Sequence, residues 1–457
     1  MTVEPATSAA FLNSIGVNVQ WDSGSRQTAQ LNALLNLGVG HIRAGGTSPE
    51  FVSLEHQLAA SGIKTLYVEA AYDGLVPNGY YWSAATPPIL LAPFMEQLTD
   101  AIEGVEDNNE LDQQYVQYRW HPKDSFTLSA NPSSPVFYGA YGMQVALDTW
   151  TIIKADPIIS NMFVVGPTIS DYLKPSPYDP STLYSPTDYG AFAPYPFWGN
   201  TNCTTDGPYD SVADYTWDTN DPIGNIDACP TAFTWQAPFA AGSLARDMVA
   251  VETGYATGTA QYSVSTTVQA KYIPRMVVEY FRHGIPKTYL YDLNDDGTDP
   301  SYKDNNFGLL HYNLSPKPAY TALQSLISLL KDSGASFTPQ PLTYSVSASP
   351  EGAFNRLQYV HDLLLQKSTG EYYLLIWHEV ADGAVFDNSV SDFYPSTAQD
   401  LYPPSIPVTI TLPAGIRSVT AYTYNSGWTF ASSPLSLTNN QVSLEAADTI
   451  TVLELSN

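Results

Sequence analysis

The sequence predicts a (β/α)8 barrel followed by an antiparallel β-sandwich. A strand-then-helix rhythm recurs from about Ser14 to Ser333, and such a series requires parallel strands joined by crossover helices. From Ser336 onward the pattern changes to period-two alternation punctuated by Gly, Pro, Asn and Asp, without helical spacing. At 457 residues the chain is also too long for one ordinary domain. The expected division is a barrel over residues 1–335 and a sandwich over residues 336–457.

The elements follow in order. Ile15 to Trp21 reads as the first strand, and Thr28 to Leu37 as its helix, with Leu31, Leu34 and Leu35 on one face. Val39 to Arg43 is a second strand running into Ala44-Gly45-Gly46, and Pro49 to Ser61 a second helix. Lys64 to Ala70 is the third strand, followed by a Gly/Pro/Tyr-rich loop and a helix across Pro93 to Thr99. The fourth strand starts at Ala101 and leads into a long irregular segment, Gln113 to Tyr138, that contains Trp120. Connections of that length usually carry function or lack order. Ala140 to Ala155 is helix four, Met162 to Ile169 strand five, and Tyr189 to Pro196 a weaker strand six. After a cysteine-bearing loop comes strand seven, then a long amphipathic helix, Thr267 to His283, strand eight at Lys287 to Leu293, and a last barrel helix, Pro318 to Leu330. In the second part, Arg356 to Gln366, Tyr372 to Glu379, Val408 to Leu412, Ser418 to Tyr424 and Thr449 to Leu455 read as sandwich strands.

Strand seven is the most informative stretch. Met248, Val249, Ala250 and Val251 form an apolar run of the kind expected for a strand buried on both faces, and it stops at Glu252. The carboxyl ends of barrel strands surround the active site, so an ionisable group there stands where chemistry is done. A capping carboxylate for the next helix is the plainer reading of the same residue. A second carboxylate from the end of strand four would face it, and that strand offers Glu103, Glu106, Asp107 and Glu110. Two carboxylates flanking a glycosidic bond divide the work into nucleophile and general acid, about 5 to 5.5 Å apart for retention and farther for inversion.

Composition narrows the partners. Lys+Arg 18 against Asp+Glu 45 gives a net charge of −27, which repels phosphate backbones and anionic lipid, so neither nucleic acid nor membrane is expected. Tyr 32, Trp 9 and Phe 17 supply flat rings that suit oligo- or polysaccharide substrates, although most single aromatics in a protein serve the core. The two cysteines, Cys203 and Cys229, share one Asp/Gly/Pro-rich loop and could close it with a disulfide contributing roughly 3 kcal/mol. Met1-Thr2-Val3-Glu4-Pro5 lacks a secretory signal. A disulfide, together with the acidic, Lys-poor composition, therefore points to a secreted or periplasmic protein whose leader has been removed. The sequence carries no signal for oligomeric state.

The segments GVNVQW, GVGHIRAGG, AIEG with NELD, FVVGPTIS, APYP, VETGYAT and YIPRMVVEYFRHGIPKTYLYDLNDDG spread over nearly the whole chain. Together they resemble the clan-A retaining glycoside hydrolases, closest to the family 39-like branch with a barrel and a C-terminal β-sandwich. The resemblance implies a retaining enzyme without cofactor or metal that cleaves β-glycosidic bonds of a plant or microbial glycan by double displacement. Matched by motif, Glu252 is the nucleophile and Arg43 the cation that keeps it ionised. The acid/base is Glu110 with Asn109 beside it for a sugar 2-hydroxyl if Glu106-Asp107 is an insertion; without the insertion Glu106 or Asp107 takes the position. Tyr195 resembles the tyrosine that bonds the nucleophile, although relatives have His-Pro-Tyr where this chain has Ala193-Pro194-Tyr195. Gln20 stands where relatives often carry His, and Asp292 and Asp295 are candidate hydroxyl acceptors or, equally, loop caps. Trp120 is a further candidate for substrate contact.

Other readings fail on the residues. Asp292 to Gly297 begins like a calcium loop, but Lys303 occupies the position that needs a bidentate Glu. His41, His283 and His311 lack ligand spacing and read as structural. Two rivals remain: a non-catalytic glycan-binding barrel that has lost its acid/base, and a transglycosylase on the same scaffold.

Overall fold

The computed structural model describes residues 2–69, 75–76, 89–107, 109, 146–166, 187–193, 248–260, 263–348, 356–380, 382, 400 and 402–457. Eight parallel strands form the barrel: β1 (Ile15–Asn18), β2 (His41–Ala44), β3 (Lys64–Val68), β4 (Ile102–Glu106), β5 (Phe163–Val165), β6 (Gly190–Phe192), β7 (Met248–Thr253) and β8 (Thr288–Leu290). Each pairs with its neighbour in sequence except β5 with β6, and β8 pairs with β1. The β5–β6 seam is joined by a parallel bridge, Val165 to Tyr189, and by Gly166 N donating to Tyr189 O at 3.1 Å.

Local chemistry sets the helix ends. Helix α1 (Ser25–Leu37) begins after Gly24, at φ 61, and ends at Gly38, whose φ of 86 and N–H bond to Leu34 O make a left-handed stop. Its start is therefore three residues earlier than the leucine spacing predicts. In α2 (Pro49–Ala60) the Ser48 hydroxyl accepts from Phe51 N at 3.1 Å and Pro49 fills the first turn. Helix α3 (Thr266–Arg282) is capped by Ser265, and α4 (Pro318–Leu330) opens on a proline, matching the range the sequence predicts.

Strand alternation sorts the barrel interior into layers. Ile42 and Ala44 pack outward into the main core, so His41 and Arg43 face inward at opposite ends of β2. At the floor, the two His41 nitrogens lie 2.7 Å from Glu103 Oε1 and Asn13 Oδ1, with Lys287 Nζ 3.3 Å from the same Glu103 oxygen. The middle layer is apolar: Leu66, Val165, Ala191, Val249, Val251 and Tyr289. Glycines make room for its rings. A Cβ on Gly16 would meet Tyr289 Cδ1 at 2.4 Å, and one on Gly104 would meet Phe163 Cε2 at 2.3 Å.

The second part of the chain is an antiparallel sandwich. Its outer sheet joins β9 (Ser345–Ala348), β12 (Ile406–Thr411) and β15 (Gln441–Ala446). The larger sheet runs β14 (Phe430–Leu435), β13 (Ser418–Tyr424), β16 (Thr451–Ser456), β11 (Tyr372–His378) and β10 (Val360–Gln366). Period-two alternation divides β11: Leu374 and Ile376 face the sandwich core, while Tyr373, Leu375 and Trp377 join the barrel core. N-terminal residues pair here as well: Ala6–Thr7 adds to the larger sheet beside Leu365–Gln366, and Thr2–Val3 forms a separate two-stranded sheet with Leu342–Thr343.

Charge is buried where the two parts meet. Lys271, Arg275 and Glu279 stand four residues apart on α3 and share one face. Arg275 Nη2 donates to Glu379 Oε1 at 2.6 Å and Arg275 also pairs with Asp382; Lys271 Nζ meets Asp400 at 2.9 Å and Asp448 at 2.6 Å. Glu279 bonds His361, and with Glu379 these two have the spacing of a metal site, but the Arg275 fork already lies on Glu379 as its cation. No described helix is long and apolar enough to cross a membrane.

Candidate active site

The carboxyl ends of β1, β2, β4 and β7 converge on one guanidinium. Arg43, at the mouth end of β2, is 5% exposed and all five of its N–H groups find oxygen. Nε and Nη2 hold Glu106 as a bidentate pair at 2.5 and 2.8 Å. Nη1 donates to Glu252 Oε1 and to Asn18 Oδ1, both at 2.7 Å, and Nη2 also donates to Asn109 Oδ1 at 2.9 Å. Burial disfavours the charged guanidinium, but Glu106 and Glu252 together outweigh it and hold its pKa above the ordinary arginine value. Arg43 is a permanent cation serving two carboxylates.

A bulge in β7 aims Glu252 inward. Val249 and Val251 pack in the barrel interior and Ala250 in the outer core, so plain alternation would send residue 252 outward. The pairing of β7 with β8 shifts register between Ala250 and Thr253. Glu252 therefore meets Arg43 inside the barrel, whereas Thr253 Oγ1 turns out to Met276 Sδ on α3, 3.3 Å away. Bulges commonly re-aim a side chain beside an active site. The next residue must be glycine for a separate reason: Gly254 has φ 159 and a Cβ there would meet Tyr291 O at 2.4 Å.

Asn18 locks the arrangement from β1. Its Nδ2 donates to Val251 O at 3.0 Å and Tyr289 O at 3.2 Å, while its oxygen accepts from Arg43. One carboxamide thus ties β1, β2, β7 and β8 together at the mouth.

At the end of β8, Tyr291 Oη accepts from Gln20 Nε2 at 2.9 Å and donates to Asp296 Oδ2 at 3.2 Å. Burial, then the charges of Asp292, Asp296 and Glu252, push the phenol pKa upward, so it keeps its proton. Asp292 is 2% exposed, and burial followed by the charges of Asp296 and Asp295 raises its pKa well above the usual carboxylate range. Asp295 accepts from the fully buried Lys317 Nζ at 2.6 Å and from Gly308 N at 3.0 Å, the geometry of a loop-holding carboxylate.

The structure thus brings Glu252, Arg43, Asn109 and Glu106 into direct contact, puts Gln20 at the β8 end of the mouth, and buries Asp292. Glu110, Trp120, Tyr195, Cys203 and Cys229 lie outside the described residues. Asn18, Tyr291 and Asp296 escaped the sequence reading. The run Asp292 to Gly297 immediately after strand eight was the available signal for Asp296; nothing in GVNVQW singles out Asn18.

The sequence matches no protein-family model and no curated protein. The fold has clear counterparts among solved structures. A family 39 glycoside hydrolase from the gut symbiont Bacteroides cellulosilyticus superimposes with a TM-score of 0.59 at 16% identity, covering 99% of this chain and 82% of that one. A monomeric beta-xylosidase from Caulobacter crescentus gives 0.55 at 13% identity, covering 100% of this chain and 97% of its own. A bifunctional glucanase-xylanase from a metagenome library also gives 0.55, at 12% identity over 99% of this chain and 96% of that one. The architecture, a barrel with a C-terminal β-sandwich, is one this chain shares with these glycoside hydrolases, the family 39 enzyme among them.

Proposed function

We propose that the protein is a retaining glycoside hydrolase that cleaves β-glycosidic bonds of a plant or microbial glycan by double displacement. The observation that carries this reading is Glu252, re-aimed into the mouth by the β7 bulge and held by the permanent cation Arg43 at 2.7 Å. Glu252 attacks the anomeric carbon and forms a glycosyl ester, while the general acid protonates the departing oxygen. The same group then deprotonates the water that hydrolyses the ester.

Glu110 is assigned the acid/base role. Glu106 is 0% exposed with both oxygens on Arg43, so it has no route to a leaving oxygen. Support for its neighbour comes from Asn109, whose oxygen is anchored by Arg43 so that its amide N–H groups can turn to a sugar 2-hydroxyl. In this scheme Glu106 is the counter-charge that fixes Arg43. Tyr195 bonds the nucleophile, as the resemblance implies, and Trp120, from the long segment after strand four, contacts substrate. The acidic, Lys-poor composition supports a secreted or periplasmic location. The domain division at residues 335 and 336 completes the proposal.

Activated aryl β-glycosides test the reading. Glu252→Ala should abolish turnover, and Glu110→Ala should keep turnover of the activated substrate and gain further rate with azide. Inertness of the unaltered protein toward a broad glycoside panel would favour a glycan-binding barrel instead.

A further inference from the structure

The bulge that turns Glu252 into the mouth sends the next side chain the other way, into the helix layer. Thr253 is fully buried there, with Oγ1 donating to Met276 Sδ at 3.3 Å and lying 3.5 Å from Tyr280 Oη. Met276 and Tyr280 stand four residues apart and share one face of α3. Arg275 and Glu279, each one residue earlier, occupy the neighbouring face about 100° round the helix. The sandwich holds that face. Arg275 Nη2 donates to Glu379 Oε1 at 2.6 Å and to Val380 O at 2.8 Å, Glu379 Oε2 accepts from Trp377 Nε1 at 2.7 Å, and Glu279 bonds His361. The helix is fixed from behind while its adjoining face carries the residue beside Glu252.

We propose that Thr253 is a positioning residue for Glu252, seated on α3, and that the sandwich backs this seat by clamping the adjoining face of the helix; this rests on the glycosidase reading above. Two registers of β7 compete. In the bulged one Thr253 faces Met276 and Tyr280, and Glu252 meets Arg43. In regular alternation Glu252 would take the helix side, where the Met276 thioether offers a carboxylate no cation, and Thr253 would enter the mouth. The hydroxyl at 253 favours the first register because it places a neutral donor on Met276 and Tyr280. The strand beyond is pinned as well: Thr253 O accepts from Tyr291 N at 2.7 Å, and Gly254 lies against Tyr291 O. Misplacing the Glu252 carboxylate by about 1 Å is enough to cost roughly 100-fold in rate.

The test is steady-state kinetics on 4-nitrophenyl β-glycosides with the unaltered protein, Thr253→Val, Thr253→Ser and two sandwich variants, Glu379→Gln and His361→Gln, each first shown to be folded by urea unfolding. Thr253→Val keeps the shape and removes the hydroxyl, so kcat should fall roughly 10- to 100-fold with KM within about two-fold of the unaltered value. Thr253→Ser restores the hydroxyl and should recover most of that loss. The sandwich variants, far from the sugar, should lower kcat roughly 3- to 10-fold. A packing role for Thr253 predicts the reverse order, with the valine variant active and the serine variant impaired. That order, an unchanged kcat in Thr253→Val, or an unchanged kcat in both sandwich variants would each overturn the proposal. If the unaltered protein turns over no glycoside, the hydrolase reading fails separately. A crystal structure of Thr253→Val then decides: Glu252 more than about 3.5 Å from Arg43 Nη1 supports the seat, and retention of the 2.7 Å contact overturns it.

Discussion

Arg43 Nη1 reaches Glu252 Oε1 and Asn18 Oδ1, each at 2.7 Å, while Nε and Nη2 close on Glu106. The asymmetry gives the two acids different work. Glu106 receives the guanidinium at both of its oxygens in a buried pair, whereas Arg43 gives Glu252 a single N–H to Oε1.

The first prediction concerns Arg43. Arg43→Ala strands Glu106 in the interior without its cation, which should cost about 3–5 kcal/mol in chemical denaturation. Arg43→Lys should recover little, because an ammonium has three donors where five acceptors are in place. Both variants should lose activity on an aryl glycoside by roughly 100-fold or more.

A second pair of variants separates the strand-four acids. Glu106→Ala should destabilise the fold by about 3–5 kcal/mol, since it removes one half of a buried ion pair. Glu110→Ala should leave the unfolding midpoint nearly unchanged, lower kcat, and respond to azide. Equal stability losses in the two variants, or azide rescue in Glu106→Ala, would reverse the assignment.

Gly16 and Gly104 test the barrel interior. Gly16→Ala drives a methyl into the fully buried Tyr289 ring, and Gly104→Ala one into Phe163. Each should cost about 1–3 kcal/mol or more in urea unfolding, as overpacking does. Exposed Gly62→Ala is not an equivalent control, because its φ of 84 is itself strained for alanine. Gly40→Ala meets nothing within 4 Å and serves better.

Glu69 should make stability fall as pH rises from about 4 to about 8. Burial raises its pKa to about 8, opposed by the Thr149 hydroxyl that donates to Oε1 at 2.8 Å. A folded-state pKa above the unfolded value near 4.3 means the folded form retains its proton longer. The contribution is then fully present below about pH 4 and is lost as pH rises through about 8. Glu69→Gln should accordingly gain on the unaltered protein with rising pH, by up to a few kcal/mol at pH 9. A difference in stability that does not vary with pH would contradict this.

The barrel rhythm was legible because its strands are short, mostly apolar runs and its helices carry end signals, such as Gly38 closing α1 and Pro318 opening α4. Strands β9, β14 and β15 were missed. Their exposed faces are rich in Ser, Gln and Glu, and Pro434 interrupts β14, so local composition hides pairings that only the partner strand enforces. Glu252 and Arg43 could be picked out by their places at strand ends. The bulge that turns Glu252 inward could not, since register is a relation between β7 and β8. Neither could the buried charge row Lys271, Arg275 and Glu279, which an amphipathic reading of α3 assigns to solvent.

Glu252 as the group that forms the glycosyl ester is tested most directly by mechanism-based trapping. A 2-deoxy-2-fluoro glycoside with an activated leaving group, matched to the best substrate, should inactivate the protein and add one fluorosugar to its intact mass. Peptide mapping should place that label on Glu252. A label on Glu106 or on any other residue, or continued turnover with no covalent adduct, would contradict the account.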